Sequence, residues 1–133
     1  MINKENKKTY LNKSFTTYYL TFGNRKSKSI PSQYAIRTIT YKNSLMVNIC
    51  DLYLIDKQID HGDIKIKIKK DYWMDKVASE YEIESYLKKS SITNLAGNDA
   101  VGKALELNLA KRSSVKYFSD VPFLMIYRFM QSY

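Results

Sequence analysis

Cysteine and histidine each occur only once in this chain of 133 residues, as Cys50 and His61. A single cysteine excludes a disulfide bond within the chain, which suits a reducing compartment. One Cys and one His cannot form a structural zinc site, because such a site takes four ligands. A nucleophile pair made from these two residues is conceivable, but two single residues form no catalytic signature.

Long apolar runs and catalytic motifs are also missing. The apolar stretches fall far short of the roughly 20 residues that span a bilayer, so we expect no membrane-spanning helix. The N-terminus is basic with no apolar segment behind its lysines, which is not a secretory signal but leaves a transit peptide open. The phosphate-binding loops GxxxxGK(S/T) and GxGxxG do not occur, nor do HExxH and CxxC. We therefore expect that the protein is not an enzyme and that it binds no cofactor and no small-molecule substrate.

One catalytic alternative remains at the level of the sequence. Asp51, Asp60 and Asp63 are close enough along the chain to be candidates for an acidic metal cluster of the nuclease type. The sequence does not fix their geometry, so this alternative depends on how the chain folds.

Positive charge is what the chain has in excess. It carries 22 Lys and Arg against 13 Asp and Glu, a formal net charge of +9. This surplus favours a polyanionic partner, with nucleic acid first and an anionic membrane second. Seven of the positive charges precede residue 29 and only Glu5 opposes them: Lys4, Lys7, Lys8, Lys13, Arg25, Lys26 and Lys28. We predict a basic, extended arm over residues 1–14 ahead of a single α/β domain over 15–133.

Alternation of apolar and polar residues predicts the strands. The segments are 15–22, 34–41, 45–50, 63–70 and 115–118, with a strand or short helix after Pro122. In the segment 45–50, Leu45, Val47 and Ile49 share one face. In DIKIKIKK (63–70), isoleucines alternate with lysines, and Lys65, Lys67 and Lys69 either protect a sheet edge or contact phosphates.

Helical spacing predicts two helices, one over residues 71–89 and one from Thr93 or Asn94 to about Arg112. Trp73 is expected to be a core anchor and not a base-stacking platform. Gly97 and Gly102 either let the second helix lie close to a sheet or are simply tolerated. The order of elements predicts an α/β fold, with a mixed sheet of N-terminal antiparallel strands plus a later strand, packed against two helices.

Tyrosine is frequent, with 12 residues. Some of the rings, including Tyr18, Tyr19, Tyr34 and Tyr41, lie near lysines or arginines in the sequence. That arrangement suits RNA or single-stranded nucleic acid, where rings stack on bases and cations meet phosphates. For most of the 12, we expect a core position with a hydrated hydroxyl instead.

Two segments resemble a known family. IRTITYKNSLMVNICD (36–51) resembles the first strand pair of the universal platform protein of the small ribosomal subunit, number eleven in its series. Tyr41, Lys42, Asn43 and Ser44 match the family's corner. KKSSITNLAGNDAVGKALELNLAKR (88–112) resembles its basic Ser/Thr segment leading into an alanine-rich helix. The family's glycine-rich basic loop and its basic C-terminal tail have no counterpart here.

The resemblance implies a ribonuclease-H-like α/β fold and a structural constituent of the ribosome. Such a protein binds ribosomal RNA in the small-subunit platform beside neighbouring ribosomal proteins. Lys42 and Asn43 would face RNA, and Lys88 and Lys89 would precede a helix whose N–H groups hold phosphate. The expected RNA-binding residues are Lys7, Lys8, Lys13, Arg25, Lys26, Lys28, Arg37, Lys42, Asn43, Lys88, Lys89 and Arg112.

The codon bias behind the composition suggests a compartment. Lysine outnumbers arginine 18 to 4, and Lys, Asn, Ile and Tyr, which AT-rich codons encode, are abundant. This pattern suits an organellar genome, so we expect a mitochondrial ribosome in the organellar matrix. Two alternatives stay open. The second segment also resembles the large-subunit ribosomal protein number eighteen, and a viral or phage nucleic-acid-binding protein in a host cytoplasm would show the same bias.

Overall fold

The computed structural model describes residues 21–22, 25–26 and 31–128. The chain divides into two compact units, residues 1–31 and residues 32–133. In the first unit, β1 (Thr21–Phe22) pairs antiparallel with β2 (Arg25–Lys26). The predicted arm over 1–14 and most of the predicted strand over 15–22 lie outside the described residues.

A six-stranded mixed sheet organises the second unit. Its strands are β3 (Gln33–Tyr41), β4 (Ser44–Asp51), β7 (Lys76–Ser79), β8 (Ile92–Ala96), β9 (Lys116–Phe118) and β10 (Val121–Tyr127). They lie in the order β7-β3-β4-β8-β10-β9. All neighbouring pairs are antiparallel except β4 and β8, which run parallel, with Met46 opposite Ile92 and Cys50 opposite Ala96. The parallel pair places the starts of β4 and β8 at the same end of the sheet.

One face of the sheet is covered by two helices, α2 (Glu80–Lys89) and α3 (Asn98–Glu106). The strands direct alternate residues to this side, including Ile36, Val47 and Leu95, all essentially inaccessible to solvent. Ile83 and Leu87 of α2, with Ala100, Val101 and Ala104 of α3, complete this core. The small residues of α3 allow it to approach the sheet closely.

The opposite face is covered only in part. A separate hairpin, β5 (Gln58–His61) with β6 (Ile64–Lys67), and the single-turn α1 (Lys70–Trp73) lie over one half of it. Trp73, Ile59 and Ile68 from this cover pack with Ala35 and Cys50 of the sheet. Trp73 is 8% exposed, as expected of a core anchor.

The sequence prediction of one helix over 71–89 was wrong. The segment contains α1, then strand β7, then α2. Backbone pairing with β3 takes residues 76–79 into the sheet, with Ala78 opposite Tyr34 and buried. Helix α2 begins at a capping box, in which the Ser79 hydroxyl accepts from Glu82 N–H and the Glu82 carboxylate accepts from Ser79 N–H.

The predicted second helix starts later and ends earlier than expected. Thr93 and Asn94, expected as helix caps, lie in strand β8, and α3 ends at Glu106. Gly97 separates the strand from the helix with a φ of 109°, a conformation that L side chains rarely adopt. The strand forms because its neighbours β4 and β10 supply hydrogen bonds on both sides, which outweighs the helical spacing of the sequence.

The hairpin lysines and isoleucines follow the expected alternation only in part. Ile68 is fully buried and Ile66 half-buried, but Ile64 is 50% exposed because it lies at the tip of the hairpin, directly after the turn. Residues 52–54, directly after β4, form a 3₁₀ turn. The general prediction of an α/β fold with a mixed sheet against two helices is confirmed.

Candidate nucleic-acid interface

The parallel pairing of β4 and β8 brings two predicted RNA-binding segments to one end of the sheet. Lys42 and Asn43 form the exposed turn between β3 and β4. Lys88 and Lys89 lie just ahead of β8. Ser91 N–H donates to the carbonyl of Leu45 over 2.8 Å, which ties the entry of β8 to the entry of β4. We call Lys42, Asn43, Lys88 and Lys89 the lysine end of the sheet.

The placement of Lys88 and Lys89 differs from the expected one. They are the last two residues of α2, and a strand follows them, so they do not precede a helix. The expectation of a phosphate held by helix N–H groups at this point was therefore wrong. Their charges instead face the negative end of the α2 dipole.

Arg128 supports the same helix end. Its guanidinium donates to the carbonyl oxygens of Lys88 over 2.6 Å and Leu87 over 3.0 Å, and its N–H donates to Ser91. Sequence reasoning did not single out Arg128, because its partners lie about 40 residues away along the chain. Its contacts show that it caps α2, which stabilises the lysine end.

The cations of the lysine end have different local partners. Lys88 Nζ lies 3.3 Å from the Glu84 carboxylate, one helical turn earlier. Lys89 Nζ lies over the Tyr86 ring at 4.7 Å, and Lys42 Nζ lies 5.4 Å from the Tyr41 ring. Among the described residues, Lys42 and Lys89 have no carboxylate within salt-bridge distance. Both remain available for phosphate contacts beside an aromatic ring.

Next to the lysine end, the described residues 32–128 leave the second sheet face uncovered. Two cross-strand rows reach this surface. The first is Arg37, Asn48, Asn94 and Met125; the second is Ile39, Met46, Ile92 and Tyr127, with Tyr41 beyond it. We call these nine residues the open half-face. Tyr41 is 69% exposed, Tyr127 66% and Met125 53%, while the aliphatic residues between them are half-buried.

A pair of asparagines lies in the floor of this surface. Asn48 is fully buried, and its Nδ2 donates to the carbonyl of Tyr72 in α1 over 2.9 Å. Its Oδ1 accepts from Asn94 Nδ2 over 2.8 Å. The two hydrogen bonds satisfy a buried polar group and fix the orientation of the half-buried Asn94. The alternation of residues along the strands predicted which side chains share this face. No local signal in the sequence predicted the asparagine pair.

The other predicted RNA-binding residues are dispersed. Arg37 lies on the open half-face, with its Nε 3.7 Å from the Asp75 carboxylate. Arg112 is exposed in a 3₁₀ turn that precedes the edge strand β9. Arg25 and Lys26 form β2, in the other unit. Lys7, Lys8, Lys13 and Lys28 lie outside the described residues.

The residues of the catalytic alternatives are engaged structurally. Asp51 is buried, and its carboxylate accepts from the N–H groups of Asp99 and Ala100, at 3.0 and 2.8 Å, at the start of α3. Asp60 lies 3.6 Å from Lys65 Nζ in the hairpin, and Asp63 is exposed in its turn. Across the described parts of the chain, no three His, Cys, Asp or Glu side chains form a group that could hold a metal ion.

Cys50 and His61 also have structural roles. Burial and, secondly, the charge of Asp51 raise the pKa of the Cys50 thiol to about 12, so it remains a protonated, poor nucleophile. His61 Nδ1 accepts from the N–H of Ser119 over 2.8 Å, and its ring meets Phe118 edge-on. The histidine joins the hairpin to the β9–β10 turn.

Acidic groups of the two helices, α2 and α3, meet around one lysine. Glu80, Glu84 and Glu106 surround Lys103 Nζ at 3.2, 3.8 and 4.0 Å. Partial burial acts to lower the pKa of Lys103, but the hydrogen bond to Glu80 and the three negative charges outweigh it and raise the pKa. Lys103 thus remains charged and links α2 to α3.

Together, the fold and this surface define a small basic α/β protein with a helix layer on one side and a candidate polyanion-binding surface on the other. The chain belongs to the family described as "Protein of unknown function (DUF424)", whose model matches residues 39–129. A search of curated proteins gave no match. The longest helix in the described residues is too short and too polar to cross a membrane.

A solved structure shares the fold. It is the crystal structure of an uncharacterized conserved protein from Methanopyrus kandleri, with a TM-score of 0.61 and 12% sequence identity. The superposition covers 76% of this chain and 97% of that chain. At this identity, the likeness establishes the architecture alone.

Proposed function

We propose that the protein binds RNA without catalysis, as a structural constituent of a ribosome. The observation that carries the proposal is the lysine end. Two sequence segments 45 residues apart converge there because β4 and β8 are parallel neighbours. They bring Lys42, Asn43, Lys88 and Lys89 to one end of the sheet. Cations held on rigid elements suit phosphate contacts that position a protein on folded RNA.

Charge distribution supports a polyanionic partner such as RNA. The whole chain has a net charge of +9, and residues 1–31 hold seven cations against one acid. Ribosomal RNA and neighbouring ribosomal proteins are therefore the partners we propose. The specific form implied by the sequence resemblance is the small-subunit platform of a mitochondrial ribosome.

The test compares two double variants of the full chain with the same change in net charge. Lys42→Glu/Lys89→Glu reverses the two cations of the lysine end that have no acidic partner in the described residues. Lys67→Glu/Lys69→Glu reverses two exposed cations at the end of β6 and ahead of α1, outside the lysine end, and so also tests whether these lysines contact phosphates. Binding to transcribed small-subunit ribosomal RNA is measured by filter retention across a series of salt concentrations.

We expect the first variant to bind at least tenfold more weakly and the control to bind within about threefold of the parent. The slope of log affinity against log salt should fall by about 1.5, since each lost phosphate contact contributes about 0.7–0.9. Equal losses in both variants would show that only net charge matters and would reject the lysine end. Sedimentation of native extracts tests the ribosomal assignment: recovery of the chain only as free protein, never with a particle, contradicts it.

A further inference from the structure

The open half-face has a composition that differs from the rest of the surface. Its exposed large groups are the rings of Tyr41 and Tyr127 and the side chain of Met125. Ile39, Met46 and Ile92 lie between them as a half-buried apolar floor. We propose that this surface binds unpaired bases of single-stranded RNA, a proposal that rests on the RNA-binding function above and names its substrate class.

The spacing of the rings suits several successive bases. The row from Ile39 to Tyr127 crosses β3, β4, β8 and β10, which is three strand spacings, or about 14 Å. Tyrosine rings on an exposed sheet face stack on bases because every base offers an aromatic face. The aliphatic floor between the rings supports bases that are splayed out of a helix.

The charges on and beside this face suit a polyanion. None of the nine residues of the open half-face is acidic. Its one cation, Arg37, lies 3.7 Å from the Asp75 carboxylate, so the positive charge for a phosphate comes from the neighbouring Lys42. Lys42 Nζ lies 5.4 Å from the Tyr41 ring, so a phosphate contact and a stacking platform are adjacent. The rings have polar hydroxyl tips, which suits a surface that is partly apolar and partly hydrated.

Asn94 adds a hydrogen-bonding group between the two rings. The bond from its Nδ2 to Asn48 Oδ1 fixes the carboxamide, and Asn48 is fixed in turn by Tyr72. Within the described residues, the Asn94 carboxamide oxygen has no hydrogen-bond donor. A carboxamide held at this position can accept from, or donate to, the edge of an unpaired base, as in other single-stranded RNA sites.

The experiment removes the rings and keeps the apolar floor. The full-length variant Tyr41→Leu/Tyr127→Leu is compared with Tyr81→Leu, which removes a ring 84% exposed on α2 in the acidic helix layer. The probes are a 12-nucleotide single-stranded RNA of mixed sequence and the same RNA in a blunt duplex. Fluorescence anisotropy gives the affinities, and thermal unfolding checks that each variant folds as the parent does.

We expect the double variant to lose at least 25-fold in affinity for the single strand, about fivefold for each ring. Duplex binding should change less than threefold, and Tyr81→Leu should match the parent on both probes. The inference is overturned if the double variant binds the single strand like the parent, or if the parent prefers the duplex.

Other outcomes separate this inference from the proposed function. If the lysine-end variant loses RNA binding while the tyrosine variant does not, RNA binding stands and base stacking on this face is rejected. If the parent binds neither probe nor ribosomal RNA, both proposals fail. If sedimentation equilibrium shows that the double variant turns a dimer into a monomer with RNA affinity unchanged, the face is a contact between copies, and the inference is rejected.

Discussion

The two faces of the sheet differ in both cover and charge. On one face, α2 and α3 close the core, and their sequences hold five Asp and Glu against three Lys. On the other face, α1 and the β5–β6 hairpin cover only half, and the nine residues of the open half-face include Arg37 and no acid. In the proposed function, RNA approaches the open half-face. The same sheet would thus carry a packed core on one side and the proposed binding surface on the other.

The largest effect should come from removing the large buried ring in the covered half of the second face. Trp73→Ala should lower the free energy of unfolding by about 3–5 kcal/mol, because it leaves a large cavity between α1, the hairpin and the sheet. Tyr127→Ala, in the open half, should lower it by less than about 0.5 kcal/mol. Urea unfolding followed by far-ultraviolet circular dichroism measures both.

Equal losses for the two substitutions would contradict the division of this face into a packed half and an open half. Circular dichroism is used because Trp73 is the only tryptophan in the chain, so the Trp73→Ala variant has no tryptophan fluorescence.

The second effect tests how closely the first face is packed at the start of α3. A Cβ at Gly97 would lie 2.4 Å from Cγ of the buried Asp51, and the φ of 109° would be strained for any L residue. Gly97→Ala should therefore cost about 3 kcal/mol of unfolding free energy.

Gly102 provides the matched control in the same helix. A Cβ there meets no atom within 4 Å, so Gly102→Ala should raise stability by up to about 1 kcal/mol through helix propensity. If both alanines act in the same direction, the close approach of Asp51 to the Gly97 backbone does not constrain the fold. Gly97 precedes the helix and is required by its φ and by the approach of the Asp51 side chain, whereas Gly102 is tolerated within the helix.

The two faces also differ in how far the sequence could predict them. Alternation in 34–41 and 45–50 predicted the central hairpin and the inward residues Val47 and Ile49, because period two is a local property. The Lys42–Asn43 turn followed from the same pattern. The face that carries the open rings was implied by the alternation, but its lack of cover depends on where the β5–β6 hairpin packs, which is a tertiary contact.

The errors came from segments where a local signal conflicted with a distant partner. Residues 76–79 and 92–96 have helical spacing, yet each joins the sheet, because β3 in one case and β4 with β10 in the other supply backbone hydrogen bonds. One local signal did exist: Ser79 followed by Glu82 is the capping-box pattern and indicates a helix start in the middle of the predicted helix. Arg128 and the Asn48–Asn94 pair had no such signal.

The smallest expected effect concerns how much the charge of one carboxylate at the start of α2 contributes to the stability of the fold. Chiefly the hydrogen bond from Ser79 N–H, and also the nearby Lys76 ammonium, lower the pKa of Glu82 below its usual value of 4.5. A carboxyl whose pKa is lower in the folded state adds stability above about pH 4.5, and this contribution is lost as the pH falls through the folded-state pKa. Glu82→Gln keeps an acceptor for the Ser79 N–H but removes the charge.

The variant should therefore be slightly less stable than the parent at pH 7, and the difference should shrink as the pH falls below 4.5 and through the folded-state pKa. Thermal unfolding of both chains from pH 7 to pH 3 at low salt measures the difference, and added salt should reduce the part that comes from Lys76. A difference that is constant over this range would mean that Glu82 acts through the shape of its cap alone.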